Sequence, residues 1–252
     1  MGASRTRPTT LAQPGNPVAG APRSGQSDRM IVPSDLWPPG GLVVRSGDLV
    51  LTPVTDDDLP ELVELALAGI HEPGTMPFSV PWTLAPPDEL PRQFAAYQWG
   101  VRAAFRPEDF QLELAVRRRG ELVGTQGFGA KDYPVTRTAE TGSWLARRHQ
   151  GQGIGTRMRQ AVCTLLVDHL DAAEVTSGAW LDNPASLAVS REVGYREADV
   201  TRMVRLGVVA LHRRLVLRPD DLVRGEPVQV TGAEPLRAFL GLTGAGRAAG
   251  RG

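Results

Sequence analysis

The sequence predicts an α+β fold, with helices packed on an antiparallel meander, and three observations carry that prediction. Residues 110–116, 122–128 and 138–146 form three successive strand-like runs joined by short connections. Stretches 55–70, 88–104 and 153–165 read as helices. Between the last strand and the last helix, "QGQGIG" sets three glycines at alternate positions, the mark of a strand-to-helix turn.

Composition bounds the rest. The 252 residues suffice for one large domain with tails. Lysines and arginines number 28 and acids 28, so no long-range field recruits nucleic acid or an anionic membrane. The single cysteine, Cys163, excludes an intrachain disulfide framework, and no apolar run is long enough to span a bilayer, so cytoplasm is the expected compartment. Residues 1–30 are rich in Pro, Gly, Ser and Thr and are expected to be a flexible tail, as are residues 241–252. Residues 31–47, with Trp37, are expected to pack as an extension without regular structure. Residues 48–240 form the single predicted domain.

Within it, "DLVLTPV" is a short strand. "TDDDLPELVELALAGI" then starts a helix, with Thr55 as N-cap, acids in the first turn and Pro60 near the start. Leu59, Leu62, Val63, Ala66, Leu67 and Ile70 form its expected buried stripe. The proline-broken loop "HEPGTMPFSVPWTLAPP" carries Met76, Phe78 and Trp82, which either line a substrate pocket or cap the core edge. Phe110, Leu112, Leu114 and Val116 alternate with Gln111, Glu113 and Ala115, "RRGE" turns the chain, and "LVGTQGF" completes a hairpin. In "TAETGSWLA", Glu140, Gly142 and Trp144 share one face and Thr141, Ser143 and Leu145 the other.

The glycine turn suits phosphate. Residues without side chains let backbone approach closely, the first N–H groups of a helix lack internal acceptors, and the helix dipole favours negative charge there. Thr156 adds a hydroxyl. A G-x-x-x-x-G-K-[ST] loop would need a lysine that is absent, and a dinucleotide G-x-G-x-x-G loop would need glycine where Thr156 stands. Glycines that merely make a tight turn are the remaining alternative.

Two blocks together narrow the choice. Gln150-Gly151-Gln152-Gly153-Ile154-Gly155 fits Q/R-x-x-G-x-G/A, and "VTSGAWLDNPASLAVSREVGY" supplies a strand, then Asn183, Ser186 and a closing Gly-Tyr. This order and spacing resembles the GNAT acyl-CoA N-acyltransferases, in particular their RimJ/RimL-like branch, over roughly residues 48–217. "GTMPFSVPWT" is similar to a loop of an actinobacterial subgroup in which the donor is acetyl-CoA or succinyl-CoA. The resemblance implies a three-layer arrangement around a mixed, mostly antiparallel sheet of about seven strands, splayed at the central strand so that pantetheine lies in the gap. "VTRMVRLGVVALHRRLVL" would supply the last hairpin.

It also implies roles. Backbone groups of Trp144, Leu145 and Ala146 would meet pantetheine, and Gln150, Gly151, Gln152, Gly153, Ile154, Gly155 and Thr156 the pyrophosphate, with Arg147 and Arg148 as further phosphate or adenosine contacts. Attack of an amine on a thioester needs a neutral amine and a proton for the departing thiolate. Glu140 is the expected base, with Asp132 in reserve. Ser186 matches a serine placed near the coenzyme sulfur, while Asn183-Pro184 also reads as a helix N-cap with Pro at the first helical position. Where many relatives carry a tyrosine acid, this chain has Ser190, which shifts weight onto Ser186; Tyr195 reads as core. Cys163, off the apolar stripe, is an ordinary small residue.

His71, His149, His169 and His212 show no ligand spacing, so no metal is expected, and no G-x-S-x-G elbow supports a hydrolase. The expected activity is transfer of an acyl group from acyl-CoA to a primary amine in a ternary complex. The alternative is a non-catalytic acyl-CoA sensor on the same fold. The acceptor is a protein N-terminus, a lysine or a small amine, and homodimers are common in this branch.

Overall fold

The computed structural model describes residues 32–242; the expected tail at residues 1–30 and most of that at 241–252 lie outside the described residues. A nine-stranded sheet runs in the order β7-β8-β6-β5-β4-β3-β2-β1-β9. Its strands are β1 Val43–Ser46, β2 Leu49–Pro53, β3 Asp109–Arg118, β4 Glu121–Lys131, β5 Thr138–Leu145, β6 Glu174–Trp180, β7 Arg196–Arg205, β8 Val208–Leu217 and β9 Val228–Thr231. Every neighbouring pair is antiparallel except β5 and β6. The seven strands expected from the sequence are β2 to β8.

The first of the two added strands corrects the reading of residues 31–47 as irregular. A helical turn, α1 Pro33–Leu36, and a 3-10 turn, Pro38–Gly41, lead into β1, which pairs β2 on one side and β9 on the other. Val44 is fully buried in β1. Four residues are too few for a clear period-two signal, and the β9 partner lies far along the chain, so nothing local announces the pairing.

The β3–β4 hairpin turns on Arg119 and Gly120, both at positive φ (51° and 88°), the backbone that matches the twist of a two-residue hairpin. Helices α2 Leu59–Leu67 and α3 Leu90–Ala103 cover one face of the sheet; α5 Ile154–Thr164, α6 Pro184–Val193 and α7 Ala233–Phe239 cover the other, and the short α4 Tyr133–Thr136 links β4 to β5. In α2, Leu59, Leu62, Val63 and Ala66 are buried as the stripe predicts, but Leu67 is exposed and Leu65 is buried in its place. The helix is wedged between β4 and α3, so its covered arc rotates away from Leu67.

The larger core cluster lies on the α5 side and includes Leu51, Leu114, Phe128, Met158 and, from α7, Leu236 and Leu240. Fully buried Leu236 ties the C-terminal segment to the sheet. Leu236→Ala is expected to lower stability by about 2–5 kcal/mol in a urea titration; a loss below about 0.5 kcal/mol would show that β9 and α7 are accessory to the domain.

Candidate active site

The parallel ladder between β5 and β6 is short. Thr138, Ala139 and Glu140 pair with Glu174, Val175 and Thr176, and there the ladder stops. Both strands continue, held from outside: β5 by β4 as far as Leu145, β6 by β8 as far as Trp180. The facing edges of 141–145 and 177–180 are left without a ladder between them. Because the strands are parallel, both leave the sheet at the same end, and each runs into a helix there. The N-termini of α5 and α6 therefore flank the mouth of this gap.

At the first mouth, Gly151 and Gly153 adopt positive φ (70° and 71°), and a Cβ at either would meet no atom within 4 Å, so this face of the turn is open. No backbone acceptor among the described residues takes the N–H groups of residues 151–156. Side chains brace the turn from behind. Gln150 Nε2 donates to the carbonyls of Ile70 and Leu145, each at 2.8 Å, and Gln152 Nε2 to that of Arg148 at 2.8 Å. The Thr156 hydroxyl, expected to serve phosphate, donates instead to Glu192 Oε2 on α6 at 2.7 Å. Arg147 pairs with Glu72, and Arg148 with Glu121 at 3.3 Å.

At the second mouth, Asn183 caps α6, its Oδ1 accepting from the Ser186 N–H at 3.1 Å, with Pro184 at the first helical position. Ser186 sits in the first turn. Ser190 is buried, its hydroxyl donating to the Ser186 carbonyl at 2.9 Å. Tyr195 is core, hydrogen-bonded to Thr141 Oγ1 at 2.9 Å, and burial pushes its phenol well above the usual range. Cys163, read as off the stripe, is fully buried 3.3 Å from that phenol, because the helix on which it lies is covered by sheet and α6 together.

The proline-broken loop bridges the gap. The Trp82 ring packs 5.9 Å from Trp144 of β5 and 5.5 Å from Phe78, whose carbonyl accepts from Trp180 Nε1 of β6 at 3.4 Å. His71 Nε2 contacts Thr83 Oγ1 at 2.8 Å and staples the loop's ends. Met76 is buried, whereas Phe78 and Trp82 are half-buried.

On the α2–α3 face the gap adjoins a cleft of about 840 Å³ lined by Gln111, Gly129, Glu140, Gly142, Thr176 and Arg214, among others. Glu140, exposed, belongs to the last laddered pair. Asp132 lies past the end of β4 and does not line this cleft. Among the described residues no cluster of three His, Cys, Asp or Glu can hold a metal.

Residues 48–196 match the family model for the acetyltransferase (GNAT) domain. The chain belongs to the GNAT acetyltransferase family. The family is one of acyl-CoA N-acyltransferases. Among solved structures the chain is similar to Mycobacterium smegmatis RimJ in complex with CoA-disulfide (TM-score 0.63, 21% identity, covering 80% of this chain and 95% of that one). It is also similar to RimL, the ribosomal L7/L12 alpha-N-protein acetyltransferase, in complex with coenzyme A (0.56, 19%, 70% and 97%). A third is a chimera of spermidine N-acetyltransferase SpeG from Vibrio cholerae and hSSAT (0.54, 17%, 69% and 97%). At these identities the likeness is one of fold.

Two charged groups of this acyltransferase were not singled out from its sequence. Arg159 of α5 is buried and reaches across the gap to Ser143 and Ser177. Glu113 of β3 accepts from Tyr97 Oη at 3.0 Å and Gln111 Nε2 at 2.9 Å. It lies over Gly127, where a Cβ would come within 2.7 Å of its carboxyl oxygens. Burial pushes its pKa up, against the pull of these hydrogen bonds. A carboxyl raised in the folded state favours folding at low pH, and that benefit is lost as pH climbs from the ordinary 4.5 through the raised value. Glu113→Gln is therefore expected to gain stability relative to the parent more at pH 8 than at pH 5, by about 1.4 kcal/mol for every tenfold by which folding tightens proton binding at this carboxyl. Equal differences in melting temperature at the two pH values would contradict this.

Proposed function

We propose that the protein moves an acetyl or succinyl group from acyl-CoA to a primary amine by direct attack on the thioester, with both substrates bound together. The observation that carries this reading is the unladdered gap between β5 and β6, flanked by two helix N-termini and a glycine turn with free N–H groups. These groups fit a pyrophosphate: donors converge, no side chain crowds them, and the dipole of α5 adds to them. Residues 150–156 would hold it, largely through backbone. Trp144, Leu145 and Ala146 would offer backbone groups to pantetheine under a roof made by Phe78 and Trp82, with Met76 anchoring that loop.

Glu140, at the point where the ladder ends and the cleft begins, takes the ammonium proton, directly or through water. Ser186, in the first turn of α6, donates to the departing thiolate, and Asn183 positions it by capping the helix. The acceptor, entering from the cleft, is a protein N-terminus, a lysine side chain or a small amine.

Thiol release, followed with acetyl-CoA and succinyl-CoA against a panel of amines, tests the assignment. Glu140→Gln is expected to lower kcat by about 10²- to 10⁴-fold. Ser186→Ala is expected to lower kcat with little change in the KM for the donor. Wild-type rates in both variants would remove these two residues from the mechanism. A wild-type protein that binds acyl-CoA yet acylates no amine would favour the sensor.

A further inference from the structure

Arg159 has no place in the chemistry above, and its setting is unusual for an arginine. It projects from α5 under the sheet and is only 4% exposed. Its guanidinium donates to Ser143 Oγ on β5 at 3.0 Å and to Ser177 Oγ on β6 at 3.2 Å. Both serines lie beyond the last laddered pair, so the cation spans the gap itself. Its Nε is buried without a partner.

Among the described residues no carboxylate forms an ion pair with Arg159. Beside it lie Cys163, whose thiol burial pushes up to about 11, and Tyr195, whose phenol burial raises well above its usual range, so neither supplies a negative charge at neutral pH. A guanidinium does not escape burial by losing its proton. A buried, uncompensated charge is strongly unfavourable, and such a site awaits an anion.

Position decides which anion. Arg159 lies six residues along the helix from Gly153, about 9 Å down the axis from the glycine turn, too deep for a group seated on the turn. Nor does it share a side with the acceptor cleft. Glu140 and Gly142 face that cleft, whereas Ser143 and Arg159 belong to the opposite, α5 side of the sheet. A molecule threaded between β5 and β6 passes over the guanidinium, with the Phe78–Trp82 loop above it. We infer that Arg159 recognises a carboxylate at the end of the donor's own acyl chain, so that the donor is the monothioester of a short dicarboxylic acid, of the succinyl class. The inference rests on the acyl-CoA reading above. The two serines hold the fork in place for a bidentate partner and leave Nε to complete it.

Calorimetric titration of the full chain with coenzyme A, acetyl-CoA, succinyl-CoA and succinamoyl-CoA, the neutral amide of the same length, tests this. Wild-type protein is expected to prefer succinyl-CoA over both acetyl-CoA and the amide by about tenfold or more, the worth of one charge-assisted hydrogen bond. In Arg159→Gln the succinyl-to-acetyl preference is expected to collapse to about one, and Arg159→Lys to keep part of it. Coenzyme A binding with no preference among the donors in the wild type overturns the inference and leaves the acyl-CoA reading standing. Binding of none of the four overturns both. The wild-type comparison of acid and amide needs no variant to fold.

Discussion

The arrangement depends on one constraint, a single parallel strand pair set in an otherwise antiparallel sheet. Antiparallel neighbours can be joined by tight turns, but parallel ones need a crossover, and here that crossover is α5. Its return to β6 obliges both strands to end at the same edge, where α5 and α6 begin. The unsatisfied N–H groups of the α5 turn and two like-oriented helix dipoles thus meet at one place. Since β4 and β8 hold the outer edges of the pair, the inner edges can part after three residues without loss of the sheet. An extended ligand could complete the hydrogen bonds that β5 and β6 do not give each other.

Around this opening the side chains are largely spoken for. Thr156 is engaged by Glu192, Gln150 by two carbonyls, Arg147 by Glu72 and Arg148 by Glu121. On the proposed reading, recognition of phosphate falls to backbone, in keeping with glycine at 151 and 153, where the chain takes positive φ beside open space. The side chains instead define the walls: aromatic on the loop side, serine and arginine beneath, carboxyl groups toward the cleft on the α2–α3 face. On the proposed reading this asymmetry gives each substrate its own approach, the donor from the helix mouths and the acceptor from the α2–α3 face.

Much of this was legible in the sequence. Alternation marked the meander, glycine spacing marked the turn, and Asn183-Pro184 marked the start of α6, because each signal is local and has a single physical meaning. What escaped was non-local or two-valued. β1 is four residues long and its β9 partner is remote, so its order comes from pairing. Leu65 and Leu67 exchange burial because α2 is covered from two sides. Thr156 looked free to serve a phosphate because its rival, Glu192, is on another helix. Arg159 sits beside Met158 in an amphipathic helix, where an arginine ordinarily marks the solvent face; only the two serines across the gap reveal its inward course.

Amide hydrogen exchange of the protein with and without saturating coenzyme A tests the central claim most directly, that the gap between β5 and β6 is the donor's seat. Slowed exchange confined to residues 143–156 and 177–187 is the predicted result, since those segments carry the free inner edges and the two helix N-termini. Protection elsewhere, or none in the presence of bound coenzyme A, would contradict the account.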